Sequence, residues 1–367
     1  MNAERLNAIC KSLESDFKRT DLLGSLQNTV NSLKNVVNQS NSSTQNELAK
    51  YLSILYAALE QSEYNHYSPS WRQIISQLRK DILLGIDLKE NILSILSENT
   101  ITLAVALEKI KNIHTSIKEF HEAIISISEG CTNLKIGSEE LENGASDIGI
   151  LIPRKYIENK LDGFILELKE INLILSIFTE YTTGKKHKLD IKTVSSTDLL
   201  IYLVLLPSVA ACLAKSVSWI VDTYLKILQI RKIKLELINM GIPDKSISGI
   251  TEYSNNVMRE EIEKIVVDIE QKYCKINDPD RRNELHNGIR ISLNKLANRI
   301  DKGFNIEIRM ALAQHEEQPQ DTKSAKESEI LKKHYNEIQN ASKNMEFRKL
   351  EGESLLSLPE SEKKKEK

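Results

Sequence analysis

The sequence predicts a mostly α-helical chain carrying one small α+β domain. Three observations lead there. Apolar residues alternate by three and four without a break from Leu103 to Ile127, and shorter stretches on either side repeat the pattern. After Gly130 the period changes to short alternating runs. From about Glu316 apolar residues become scarce among Gln, Glu, Lys and Ser. The expected organisation is a helical bundle or coiled coil over 1–130 and an α+β domain over 131–240 that ends in a long helix. A helical region over 241–312 with a strand at 304–310 follows, then a charged, flexible tail over 313–367.

In chain order, Leu23, Leu26, Val30, Leu33 and Val37 form one helical seam, and the Asn- and Ser-rich run 38–46 after it favours a turn. Leu48, Leu52, Leu55 and Leu59 mark a second helix. Ser68-Pro69 or Ser70 opens a third through Trp71, Ile74, Ile75, Leu78 and Ile82, because proline is accommodated in a first helical turn. Asp87 with Glu90 three residues on has the spacing of a capping box. The Leu103–Ile127 stripe predicts a helix roughly 40 Å long at 1.5 Å per residue, stopped by Gly130.

Residues 132–137 and 147–152 read as short strands, and Ile157, Leu161, Phe164, Leu168, Ile171 and Leu175 as a helix. Two more strands are expected, one from the end of LILSIFTEYTTG into KLDIKTVSS and one over DLLIYLVLL, giving the order β-β-α-β-β-α. A long helix follows from Pro207, closed by Gly241-Ile242-Pro243. Stripes at Val257–Ile269 and Leu285–Ile300 predict two further helices, with Asp280 capping the second, and FNIEIRM alternates as a strand with one wet face. In the tail, Leu331, Tyr335, Ile338 and Met345 have helical spacing that a partner would order, and LLSLP at 355–359 has the character of a short docking peptide.

Composition narrows the function classes. Lys plus Arg (50) nearly balances Asp plus Glu (52), so nothing in the overall charge points to nucleic acid. Cys10, Cys131, Cys212 and Cys274 lie far apart, which suggests neither a disulfide framework nor a zinc or redox pair. The first residues lack the apolar core of a secretory signal, so a cytoplasmic location is expected. His114 and His121 lie two turns apart, too far to ligate one ion together, and are expected to flank the seam as a pH-sensitive contact. His121-Glu122 begins like a zinc-protease helix, but Ile125 stands where the second histidine belongs. Gly184-Lys185 lacks the rest of a phosphate loop, and no GxSxG elbow occurs. No cofactor is expected.

The leading expectation is a non-catalytic interaction or oligomerisation component, a scaffold or adaptor that contacts itself or a partner subunit. Its contacts would come from the seam residues Leu103, Ile110, Ile113, Ile117, Phe120, Ile124 and Ile127. Arg281, Arg282, Glu284 and His286 form a candidate contact for a charged partner or ligand. The alternative is a membrane-acting helical protein that inserts segment 199–221, marked by Leu199, Leu203, Leu206 and Trp219. Between Asp198 and Asp222 the sole charge is Lys215, and roughly 20 apolar residues cross a bilayer. Pro207 argues for dividing this run into the end of a strand and the start of a helix. An enzyme or ligand sensor comes third, with no motif to define its site.

Overall fold

The computed structural model describes residues 3–139, 141–195, 199–241, 248–312, 322–342, 345 and 353–361. It divides into two compact units, Met1–Glu140 and Leu141–Lys367.

The first unit is a helical bundle of α1 (Ala3–Thr20), α2 (Leu22–Asn38), α3 (Ser42–Glu60), α4 (Pro69–Leu78), α5 (Gly85–Glu98) and α6 (Leu103–Asn133). Asn41 caps α3 by accepting the Thr44 N–H while Thr44 Oγ1 accepts the Asn41 N–H. Pro69 sits in the first turn of α4. The capping box expected at Asp87 does not open α5. The helix starts at Gly85, Asn65 Oδ1 accepts the Ile86 N–H, and Asp87 lies in the first turn. α1 has no counterpart in the sequence expectation, because Arg5, Asn7 and Asp16 are buried beside Ile9, Cys10, Leu13 and Phe17 and blur its stripe. Burial pushes the Cys10 thiol up to about 12, as suits an inert core cysteine.

α6 packs on α1 and α2. Ile110, Ile117, Phe120 and Ile124 are buried in that contact, with Leu103, Ile113 and Ile127 half-buried against it. The stripe offered as an interaction surface is therefore already covered by helices of its own chain. The strand expected at 132–137 is not formed. α6 continues past Gly130 to Asn133, and the chain then returns along α1, where Asn7 Nδ2 donates to Ile136 O and Gly137 O and Arg5 pairs bidentately with Glu139.

The second unit contains a four-stranded sheet of β1 (Ser146–Leu151), β2 (Ile191–Val194), β3 (Leu200–Leu205) and β4 (Asn305–Met310), in the order β2-β3-β1-β4. All its pairings are antiparallel, and Gly149 stands opposite Tyr202 on β3 and Glu307 on β4. Its helices are α7 (Leu161–Thr183), α8 (Pro207–Asn239), α9 (Ser248–Tyr273), α10 (Pro279–Asp301) and α11 (Thr322–Ser342). The expected β-β-α-β-β-α order is corrected to β-α-β-β-α. The fourth strand comes instead from 305–310, which joins the 241–312 region to the same unit as the sheet. LILSIFTEYTT is helical, because Ile171, Ile174, Leu175 and Phe178 share a buried face of α7. The helix ends where Gly184 takes a φ of +75°.

The apolar run is divided at Pro207, with β3 before it and the buried start of α8 after it. Leu203 is buried, Leu199 and Trp219 are half-buried against the core, and Leu206 is exposed. Lys215 lies over the Trp219 ring at 5.2 Å and pairs with Asp268 on α9. Among the described residues no helix is long and apolar enough to cross a membrane. Gly241 takes the left-handed conformation just beyond α8, while Ile242 and Pro243 lie outside the described residues. The region expected to be a flexible tail includes α11, which packs on α8 and β4 with Ile338 and Ala341 buried and Leu331 and Tyr335 half-buried.

One face of the sheet, carrying Ile148, Ile150, Ile201, Leu203, Ile306 and Ile308, belongs to the apolar core of the unit. The other is not the wet face expected of FNIEIRM, since Glu307 is 1% exposed. Asp147 on this face receives a bidentate pair from Arg309 at 2.9 and 2.7 Å and a third contact from Lys192 at 3.2 Å. The Tyr202 hydroxyl donates to Glu307, and Arg309 covers the Tyr202 ring at 4.3 Å. Burial opposes the Arg309 charge, but the Asp147 carboxylate outweighs it and raises the guanidinium pKa.

Gly149 makes room for this cluster, because a Cβ there would sit 2.7 Å from the Tyr202 ring and 3.0 Å from Glu307 Cγ. Gly149→Ala is expected to destabilise the second unit by about 1–3 kcal/mol, read as a lower urea midpoint at unchanged m-value. In the first unit His121 stacks on Phe17 at 5.2 Å, and burial lowers its pKa below the ordinary 6.5 despite Glu14 and Glu122. The unfolded chain therefore binds the proton first. This contribution to stability is whole above 6.5 and falls as pH drops through the window between that value and the lower folded one. The protection factors of α1 and α6 amides, which correct for the pH dependence of intrinsic exchange, should fall as pH drops below about 6.5, and less so in His121→Phe.

Candidate peptide-docking site

Along α10, Leu285, Ile289, Leu293, Leu296 and Ile300 face the core, as their spacing predicts. The helix is capped two residues earlier than expected. Asp278, not Asp280, is the N-cap, and its carboxylate accepts the Asp280 N–H at 3.0 Å. Beside the apolar stripe runs a second one, Asn294, Asn298 and Asp301, at i, i+4 and i+7 and therefore on one side of the helix. All three are buried. Asn and Asp are indifferent helix formers that favour bonding to main chain, and here the main chain they bond belongs to another segment.

That segment is 353–360, in which Leu355, Leu356 and Leu358 are 2–4% exposed. The two sides of its backbone are read by different helices. Asn255 on α9 takes one side, donating to Leu355 O at 3.3 Å and accepting the Ser357 N–H at 2.7 Å. α10 takes the other, where Asp301 Oδ2 accepts the Leu356 N–H at 2.7 Å. Asn298 accepts the Leu358 N–H and donates to Leu358 O, each at 3.0 Å. This division between even and odd residues is that of an extended chain, whose polar groups point alternately to either edge. Asn294 Nδ2 donates to Pro359 O at 2.9 Å, and Glu360 accepts from Asn298 and faces Arg299 at 3.6 Å. An amide side chain can donate and accept at once, which suits it to replace a neighbouring strand.

Buried charge supports the groove. Asp301 Oδ1 accepts from Tyr224 at 2.7 Å and from Arg231 at 3.0 Å, both on α8. Burial, reinforced by Asp301, raises the Tyr224 pKa. Arg299 pairs bidentately with Glu167 on α7 at 2.5 and 3.1 Å. Burial opposes its charge, and the Glu167 bond outweighs that and raises its pKa.

The residues singled out from sequence lie elsewhere in the unit or are already engaged. Arg281 grips Glu180 on α7 with two bonds, at 2.8 and 2.6 Å, and also bonds Glu284. Arg282 and His286 both meet Glu270 on α9. Arg281, Arg282 and His286 brace α10 against α7 and α9, while Glu284 meets Arg281 on α10 itself. An apolar cavity lined by Ile150, Leu175, Val217, Phe304 and Ile306 touches one charged group, Arg299, which is held by Glu167. Among the described residues no group of three or more His, Cys, Asp or Glu could hold a metal ion. Sequence reasoning found the docked peptide in LLSLP but missed Asn255, Asn294, Asn298 and Asp301. The available signal was the polar spacing within α10.

Comparison of the chain with protein-family models, with curated proteins and with solved structures finds no match. The groove's function is therefore argued from its own geometry. Arg231→Met would leave the Asp301 carboxylate buried without its cation, and should lower the stability of the second unit by about 3–5 kcal/mol in urea unfolding.

Proposed function

We propose that the protein is a non-catalytic interaction component whose second unit recognises an extended, leucine-bearing peptide through the groove between α9 and α10. The observation that carries this reading is the clamp on residues 355–358, in which Asn255 and Asn298 each engage both an N–H and a C=O of the docked backbone. Main-chain bonds of this kind give affinity with little dependence on sequence, and the buried leucines supply selectivity. The groove thus takes over the contact-making role that the sequence assigns to the α6 stripe.

The test releases the resident segment and asks whether the groove accepts the same peptide from solution. In the full-length chain Leu356→Ser with Leu358→Ser should free the segment, and a labelled peptide of residues 353–361 should then bind saturably by fluorescence anisotropy. Asn298→Ala in that background should weaken binding at least tenfold, since two main-chain bonds are lost and the backbone groups that made them stay buried. Absence of saturable binding by a folded, released chain would reduce the clamp to an internal closure and sink the interaction reading.

A further inference from the structure

The docked segment is held by more than its backbone and its leucines. Asn298 is 4% exposed, and its whole amide is engaged by the segment. Its Oδ1 accepts the Leu358 N–H. Its Nδ2 has two hydrogens and two acceptors, Leu358 O at 3.0 Å and Glu360 Oε1 at 2.8 Å. The other oxygen of Glu360 faces Arg299 Nη1 at 3.6 Å. Arg299 gives Nε and Nη2 to Glu167 and one bond from Nη1 to Lys295 O, so Nη1 has a second N–H beyond that bond. A carboxylate meets both donors with an acceptor. An amide in its place would turn an N–H towards one of them, and an apolar side chain would leave Asn298 with a buried N–H unmatched. Surplus positive charge is not the reason, because Glu167 already answers Arg299 and Glu170 answers Lys295. Position follows from the extended chain, in which residues i and i+2 face the same side. Glu360 thus follows Leu356 and Leu358 towards α10, while Ser357 and Pro359 between them are exposed.

We propose that the groove selects, in a partner protein, an extended segment that carries a glutamate two residues after its last buried leucine, read by Asn298 and Arg299. This rests on the peptide-docking reading above and gives the ligand a register. Its pattern is leucine, leucine, any residue, leucine, any residue, glutamate, as in residues 355–360 of the chain itself. The two unspecified places are those whose side chains point to solvent. A second copy of this chain is the poorer occupant. Its segment is identical to the resident one and would compete with a tethered rival whose effective concentration is of the order of millimolar. A partner segment can add contacts outside the shared pattern, which an identical segment does not.

The experiment compares three labelled, amidated peptides on the full-length Leu356→Ser, Leu358→Ser chain. One is residues 353–361, one carries Glu360→Ala, and one carries Glu360→Ser with Ser361→Glu, which keeps composition and charge but moves the acid by one place. Both altered peptides are expected to bind on the order of tenfold more weakly than the first, the size of effect that a hydrogen bond to a charged group gives. The difference should shrink to within about threefold when the chain also carries Asn298→Ala, because the two groups are coupled through one bond. Equal affinity for all three peptides, full binding by the peptide with the displaced acid, or a difference that survives Asn298→Ala would overturn the proposal while leaving the docking reading intact. Failure of every peptide to bind would remove that reading as well.

If the released chain does not fold, Glu360→Ala and Ser361→Ala in the otherwise unaltered chain replace it. Amide exchange at Leu356 and Leu358 should quicken about tenfold in the first and stay unchanged in the second, and equal rates in the two would count against the proposal. Light scattering on the unaltered chain identifies the other occupant. A dimer that Leu356→Ser with Leu358→Ser abolishes would assign the groove to a second copy and reject a partner protein.

Discussion

The Asp301 carboxylate is the constraint on which the second unit turns. A carboxylate this deeply buried is tolerated where charge and hydrogen bonds surround it. Its ligands come from two other parts of the chain, Tyr224 and Arg231 from α8 and the Leu356 N–H from the docked segment. α8 leaves the sheet directly after β3, and α10 runs from Asp301 through a tight turn at Gly303, φ +93°, into β4. One buried charge therefore fixes the two helices that continue two strands of the sheet, and sets the floor of the groove beside them. Asp301 is the last residue of α10, where a negative charge is disfavoured by the helix dipole, which makes the neutralising Arg231 more necessary.

The same device recurs. Asp147 with Arg309 and Lys192 ties β1 to β4 and β2, and Glu167 with Arg299 ties α7 to α10. Buried pairs of this kind add little net stability over apolar packing, but a missing partner is severely penalised. For a four-stranded sheet whose apolar face is nearly uniform Ile and Leu, that penalty bears on register. Sliding β4 by one residue along β1 would move Glu307 and Arg309 to the apolar side and leave Asp147 without its guanidinium.

The helices were largely legible because their stripes are long. Leu103–Ile127 and Leu285–Ile300 announce both the helix and its buried face. Pro207 likewise gave away the division between β3 and α8. What could not be read was which distant segment completes each element. TNLKIG alternates like a strand, but Asn7 and Arg5 hold that stretch against α1, and the fourth strand is brought from residues 305–310, far away in sequence. FNIEIRM was legible as a strand, and its polar side was misjudged as wet because Asp147 and Tyr202, which cover Arg309 and Glu307, lie on other strands. At the groove the apolar half of the recognition, LLSLP, stood out. The polar half did not, since Asn255, Asn298 and Asp301 acquire a common purpose only when α9 and α10 converge on one backbone.

The energetics of the docked segment are finely balanced. Three buried leucines contribute about 1.5–3 kcal/mol each, and main-chain bonds to neutral amides about 1 kcal/mol each. Against them stands the ordering of eight residues from Glu353 to Glu360, about 1–2 kcal/mol per residue. The opposing quantities are of similar size, so docked and released states lie close in free energy. Release also exposes Asp301 Oδ2 and the Asn298 amide at the groove, where water can replace the lost bonds, while Tyr224 and Arg231 keep hold of Oδ1. Loss of the docked segment would therefore leave in place the charge compensation that organises the unit.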